Sequence, residues 1–480
     1  MILVHRWYTL NRELAWLKAS LRQYVEAERA VWLHWVVLLG LLLAAPAAGV
    51  LVSRINPLYI FIAISLPLAL IAAQAGLARF DLAPIVILIA AAFIPLSLPT
   101  GSGSPIVDSL LLSIVFLANW FLRMIIFEKR LHFAPSPVNK PILYFVIITL
   151  LSLAWSMVFR DPLVTTWSSF PIVQIASTLV MIVSPGVLLL VGNHVDDLRI
   201  FKGMVIIMLM AGAIGVIRRL GSIDLNLVND GGLFTMWVVG LSASLALFNE
   251  KLSWRWRAQL LVLAGAWIYF RFGMQIDWLA GWLSTFAALG VLIFMRSRKM
   301  LLLVLAVVAL VISLNADYYL GTVLQSESEE SGQTRLMAWE VNWRVTGKHV
   351  FLGTGPAGYA AYYMSYFPTD GMATHSNYID VIAQTGIFGL LTCLWLFFGL
   401  AWLGYKLCLR LRGRRDFVEA LANAAFAGTV GCIVMMGFGD WLFPFAYTQT
   451  IAGFDYVVYS WLFMGTLLAL DRLYPPSGQR

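Results

Sequence analysis

The sequence predicts an all-α polytopic membrane protein of about 14 transmembrane helices. Both termini are expected in the cytoplasm, with one long, partly helical extracytoplasmic loop between spans 11 and 12. Three observations predict this class. Of 480 residues, 60% are apolar and only 12% charged, and the mean hydropathy is +0.82; a soluble domain carries about a quarter charged residues. The apolar residues fall in successive windows of about 20, the length that crosses a bilayer as a helix. The basic residues are dense in alternate connecting segments. This composition excludes a soluble enzyme, a disordered chain and a secreted disulfide scaffold. The three cysteines, Cys393, Cys408 and Cys432, lie in or beside apolar segments and lack metal-type spacing.

The elements follow in order. Segment 1–31 has Leu10, Leu14, Leu17, Leu21 and Val25 at helical spacing, with Arg12, Lys18, Arg22 and Arg29 between them. That pattern fits a helix lying on the cytoplasmic membrane face, and the lack of an apolar run argues against a cleavable signal peptide. Spans are expected near 32–53, 56–76, 82–99, 105–127, 141–159, 172–193, 199–217, 233–249, 257–273, 279–295 and 300–319. Together they make a transmembrane region over 32–319. A loop over 320–376 follows. Spans near 377–404, 420–442 and 449–471 form a C-terminal region over 377–471, and 472–480 is a cytoplasmic tail.

With the N-terminus inside, 25 of the 33 basic residues fall on the inner side, as the positive-inside rule requires. The net charge of +8 is thereby explained without a nucleic-acid partner. Eight basic residues remain outside: Arg54, Arg160, Arg218, Arg219, Arg271, Arg335, Arg344 and Lys348. Any one of them could snorkel to the headgroups. As a set, they suit a pocket for an anionic group at the outer surface. Arg123 and Asp455 are charges within expected spans that topology does not explain.

The long loop begins with an acidic linker, Ser326 to Gly332. A helix from Thr334 to Arg344 comes next, with Thr334 as its cap and Gly347 as its stop. Leu336, Trp339 and Trp343 share one face, and Glu340 and Arg344 are spaced for an ion pair. Arg335 lies in the first turn, where a cation opposes the helix dipole and calls for an anionic partner. Gly353-Thr354-Gly355-Pro356-Ala357-Gly358 has the spacing of a dinucleotide fingerprint. No βαβ unit surrounds it, so Pro356 is expected at the first position of another helix. On that helix Tyr359, Tyr362, Tyr363 and Tyr366 form a stripe, either an interfacial belt or a platform for sugar rings. The loop closes with Thr374-His375-Ser376-Asn377 at the mouth of span 12. An imidazole there titrates near neutral pH and can move protons.

From Thr334 to Leu390, these motifs resemble the signature region of the O-antigen ligase and O-antigen polymerase superfamily of bacterial membrane glycosyltransferases. His375 and Gly386 meet the ligase spacing of His, ten residues, Gly. Arg335 meets the Arg of an Arg, three residues, Leu pattern, with Trp339 in the Leu place. At the outer start of span 10, family members carry a Ser-Arg-Gly-like element; this chain has Asp277-Trp278-Leu279-Ala280-Gly281, and its nearest arginine is Arg271. Arg218-Arg219 is followed by Asn226 to Gly231 without the usual Pro.

The resemblance implies glycan transfer from a polyprenyl (undecaprenyl) diphosphate donor to an acceptor hydroxyl at the outer face of the cytoplasmic membrane. The acceptor is a glycan, glycolipid or protein, and membrane lipid is the remaining partner. His375 and Arg335 are the expected catalytic residues. Arg218, Arg219 and Arg271 would bind the donor diphosphate, since guanidinium groups make paired hydrogen bonds to such oxygens. The tyrosines are candidate glycan contacts, and Gly353, Gly355, Gly358 and Gly386 shape the loop. The outer acidic residues are scattered, so the transfer is expected to need no metal or cofactor. A polymerase of the same superfamily is the first alternative, and a lipid-linked glycan flippase the second. A transporter would place ionisable groups near the membrane midplane, whereas here most charges sit at span ends.

Overall fold

Each apolar window within the described residues carries a helix, because a backbone surrounded by hydrocarbon must satisfy its own hydrogen bonds. A computed structural model of the chain describes residues 79–94, 96–98, 105–221, 227–274, 279–319, 333–367, 374–444 and 449–476. The chain divides into two units, Met1–Ile60 and Phe61–Arg480, and the described residues belong to the second. The expected surface helix of 1–31, the spans at 32–53 and 56–76, and the acidic linker lie outside them.

The helices are α1 (Ala83–Phe93), α2 (Asp108–Ile126), α3 (Asn139–Val158), α4 (Phe170–His194), α5 (Leu198–Gly221) and α6 (Phe234–Phe248). They continue with α7 (Trp254–Ile268), α8 (Leu279–Arg296), α9 (Arg298–Leu314), α10 (Ala316–Tyr319), α11 (Gln333–Thr346) and α12 (Gly358–Tyr366). The last three are α13 (Asn377–Leu411), α14 (Phe417–Met435) and α15 (Phe454–Leu473). Among the described residues, seven helices are long and apolar enough to cross a membrane: α2 to α5, α13, α14, and α15 with the short turn before it. Helices α1, α6 and α8 are apolar but shorter.

Helix α15 is the centre of the packing and lies against α1, α4, α13 and α14. A Cβ on Gly465 would stand 2.9 Å from the carbonyl oxygen of Leu188, so glycine lets α15 and α4 approach closely. Trp237 of α6 is buried and donates its Nε1–H to Ser460 of α15 at 2.9 Å. The outside is apolar as well. Leu143, Leu150, Ile206, Met210, Leu302 and Leu310 are exposed, and α9 buries no residue. Helices apolar all round belong in lipid.

Four expectations change in detail. The third window ends at Phe93 and runs into a two-residue antiparallel hairpin, Ser97–Leu98 with Ile106–Val107. The eleventh stops at Leu314, and α10 follows Asn315. Helix α11 starts at Gln333, so Thr334 is inside the helix and not its cap. The face shared by Leu336 and Trp343 is exposed, and α11 turns Ala338, Asn342 and Val345 inward. The thirteenth window is helical only to Met435; residues 436–444, with Gly437, Gly439 and Pro444, form an irregular strap.

Charges gather at helix ends. At one end, Arg410 pairs with Asp471 (2.6 Å), Arg472 with Asp196 (2.6 Å) and Arg415 with Glu250 (3.1 Å). Arg123 lies there too, in the last turn of α2, 3.5 Å from Glu128. Asp455 lies at the opposite end, in the first turn of α15, and accepts a hydrogen bond from Ser109. Neither residue sits at a midplane.

Candidate functional site

The glycines of the long loop come first, because they set its path. Gly386 has φ 70° and ψ −171°, conformations reserved for glycine, and it breaks α13. The break frees carbonyls and an N–H that pair with the 350–355 segment. Thr354 N–H donates to Ala383 (2.9 Å), Gly355 N–H to Gln384 (3.0 Å), and Ile387 N–H to Val350 (2.7 Å). Ser152 of α3 donates its hydroxyl to the Gln384 carbonyl at 2.6 Å, and the Gln384 side chain accepts from Ala357 N–H at 2.8 Å. Pro356 does not start the next helix as expected. It occupies the second position of a turn closed by Gly358 N–H to Gly355 (2.8 Å), with Ala357 left-handed at φ 59°. Helix α12 then begins at Gly358.

The start of α13 is fixed from the other side. Asn377 donates its amide to Phe443 (2.7 Å) and accepts from Leu442 N–H (2.9 Å) and Phe443 N–H (3.3 Å). Ser376 donates to Met436 (3.2 Å) and Tyr378 to Ile433 (2.7 Å). Thr374 donates to the buried Asp380 at 2.5 Å, and its carbonyl accepts from Trp339 Nε1 of α11 at 2.8 Å. Between these anchored residues, His375 is exposed and left-handed, at φ 51°. Its neighbours hold the turn, while the imidazole faces outward. Arg335 lies on α11 one turn before Trp339, so the helix that carries it is tied to the His375 turn.

The structure brings Arg218, Arg219 and Arg271 together. Arg218 and Arg219 end α5, and both reach one carboxylate oxygen of Asp230, at 3.0 and 2.6 Å. Arg271, in the π-turn Tyr269–Gly273 after α7, donates to Thr235 Oγ1 (3.2 Å) and to the Asp230 carbonyl (3.3 Å). The guanidinium of Arg219 also lies 4.4 Å from the Trp267 ring centroid. The strap links this cluster to His375. Its Leu442 and Phe443 hold Asn377, while Trp441 lies 3.3 Å from where a Cβ on Gly232 would stand.

The tyrosine stripe is for the most part not a platform. Tyr359, Tyr362 and Tyr363 are buried with Val164, Phe170 and Val345, and only Tyr366 is exposed. Aromatic side chains at this helical spacing stabilise the loop by burying area against α4 and α11. A clasp completes it. Tyr366 donates to Asp161 at 2.7 Å, Tyr362 meets His349 Nε2 at 3.0 Å, and Lys348 lies 3.8 Å from Asp161. The Tyr366 hydrogen bond, then Leu163 N–H, hold the Asp161 carboxyl below its usual range; burial pushes the His349 imidazole below 6.5. Arg344 pairs with Glu340 at 2.5 Å, as its spacing suggested.

Sequence reasoning missed Asp230 and the strap. Asp230 had one signal, an acid beside Gly231-Gly232 in the loop that faces two adjacent arginines. Nothing in the apolar strap marked it as irregular before Gly437.

Fold and exposed apolar surface together define a multi-pass helical membrane protein. Residues 279–394 match the family model described as O-Antigen ligase. The match bears out the resemblance to the O-antigen ligase superfamily and supports a membrane glycosyltransferase of the ligase or polymerase type. It spans α8 to the first half of α13 and includes Arg335, His375 and the interlocked glycines; Arg218, Arg219 and Arg271 lie before it. No curated protein matches the chain significantly.

Proposed function

We propose that the protein transfers a glycan from a polyprenyl diphosphate donor to an acceptor hydroxyl at the outer face of the cytoplasmic membrane, as an O-antigen ligase does. The observation that carries this reading is the convergence of Arg218, Arg219 and Arg271 at the end of the bundle that also holds His375. Breaking the anomeric C–O bond leaves its electron pair on the diphosphate, and guanidinium groups stabilise that charge. The acceptor oxygen forms the new bond to the anomeric carbon from the opposite side. The exposed His375 takes the hydroxyl proton as general base. Arg335, carried by the helix tied to the His375 turn, adds a further cation. In this reading the arginine-bearing end faces outward and Tyr366 remains a candidate glycan contact.

Purified protein given labelled donor and acceptor, without an ion gradient or nucleotide, should form product; a flippase would not. Donor alone separates the two glycosyltransferase readings. No reaction without a second acceptor supports the ligase, and product ladders mean a polymerase.

A further inference from the structure

Asp230 is the residue around which the arginine cluster is built, and its own loop does not need its charge. Asn229 N–H donates to Ala92 at 2.9 Å, and the Asn229 carbonyl accepts from the Tyr459 hydroxyl at 2.9 Å. A Cβ on Gly231 would stand 2.3 Å from the Tyr456 ring, and Gly232, at φ +55°, sits under Tyr456 and Trp441. Backbone anchors and packing therefore hold the loop on both sides of residue 230. The side chain is directed at the cations instead, through one oxygen shared by Arg218 and Arg219, while the main-chain carbonyl receives Arg271.

Three guanidinium groups this close repel one another. One carboxylate offsets part of that repulsion and fixes the two α5 side chains in one geometry. The formal charge left over is +2, which matches a diphosphate ester. Asp230 and both α5 arginines keep about a fifth of their side-chain area exposed (17%, 23% and 24%), so an anion can reach the cluster. We propose that Asp230 is a positioning residue that assembles Arg218, Arg219 and Arg271 into the donor's diphosphate-binding fork. The proposal rests on the glycosyltransferase reading and adds to it a residue that does not touch the reacting atoms.

The test uses the full-length protein in lipid nanodiscs, with donor KM and inhibition by inorganic pyrophosphate as readouts. Asp230→Asn keeps the shape and removes the charge. It should raise both constants by about 10- to 100-fold, the size of one charged hydrogen-bond contact. Turnover at saturating donor should fall as well, because the same guanidinium groups take up the charge of the departing diphosphate. Combining Asp230→Asn with Arg218→Gln should weaken pyrophosphate by less than the product of the two single losses, because part of the Asp230 effect acts through Arg218. Asp230→Glu, which keeps the charge on a longer arm, should recover most of the lost affinity; its thermal protection by pyrophosphate gives a reading even if the Asn variant does not fold. Unchanged or lowered constants in Asp230→Asn, additive losses in the double variant, or a Glu variant with no protection would overturn the proposal. Arg218→Gln and Arg219→Gln variants with normal constants would instead remove the anion site on which it rests.

Discussion

Gly353 and Gly386 meet backbone to backbone. A Cβ on Gly353 would stand 2.4 Å from the Gln384 carbonyl, and one on Gly386 would stand 2.2 Å from the Phe351 carbonyl. Both glycines also have positive φ, 70° each. The spacing between His375 and Gly386 therefore has a physical meaning: it is the length of the short half of α13 between the exposed imidazole and the break.

Gly386→Ala should destabilise the protein by at least about 1–3 kcal/mol, from backbone strain alone. Gly358→Ala should cost less, because its Cβ would only press Thr354 Oγ1 at 3.1 Å. Thermal unfolding of the two variants in detergent checks the order.

Asn377 holds the strap through three side-chain hydrogen bonds. Asn377→Ala leaves buried backbone groups of Leu442 and Phe443 unpaired, at about 1–3 kcal/mol each. Turnover should fall along with stability, and protection of the Leu442 and Phe443 amides from hydrogen exchange should drop.

Arg335 is tested by charge and by shape. Losing a contact used in the transition state costs about 2–4 kcal/mol, or roughly 30- to 1000-fold in rate. Arg335→Ala should lose that much. Arg335→Lys should also be damaged, because an ammonium cannot reproduce the planar fork. Turnover at matched expression decides, and near-normal rates for both variants would remove Arg335 from the site.

The clasp should loosen in acid. Burial lowers the His349 pKa in the folded loop, so the unfolded loop binds more protons. Stability from this group is complete above the ordinary value of 6.5 and is lost as pH falls below it. Asp161, whose pKa is also lowered, adds a further loss only at more acid pH, below the ordinary carboxylate value of 3.8. Proteolysis near residues 347–367 should speed up from pH 7 to pH 5 in the wild type and much less in His349→Asn.

Helix positions were legible because apolar windows of bilayer length have one stable backbone solution in lipid. Gly386 was legible as a motif position, and the structure supplies its reason. The arginines were legible as cations that orientation did not need, while their shared partner Asp230 was not, since a single loop acid carries no period. The tyrosines misled because a stripe at helical spacing looks the same whether it faces a core or a ligand. The strap misled for the opposite reason: its residues are apolar enough to prolong a span, and the hydrogen bonds that hold it off the helical path come from Ser376 and Asn377 on another part of the chain.

In the proposed reaction the exposed imidazole of His375 removes the acceptor's proton while the arginines hold the departing diphosphate. The most direct measurement is single-turnover glycan transfer by His375→Gln, with donor binding measured on the same preparation. Gln keeps a hydrogen-bonding group but cannot take up a proton near neutral pH. General-base catalysis contributes about 10²- to 10⁴-fold, so a general-base role requires a loss of that size with donor affinity retained. A His375→Gln protein that transfers glycan at the wild-type rate would contradict it.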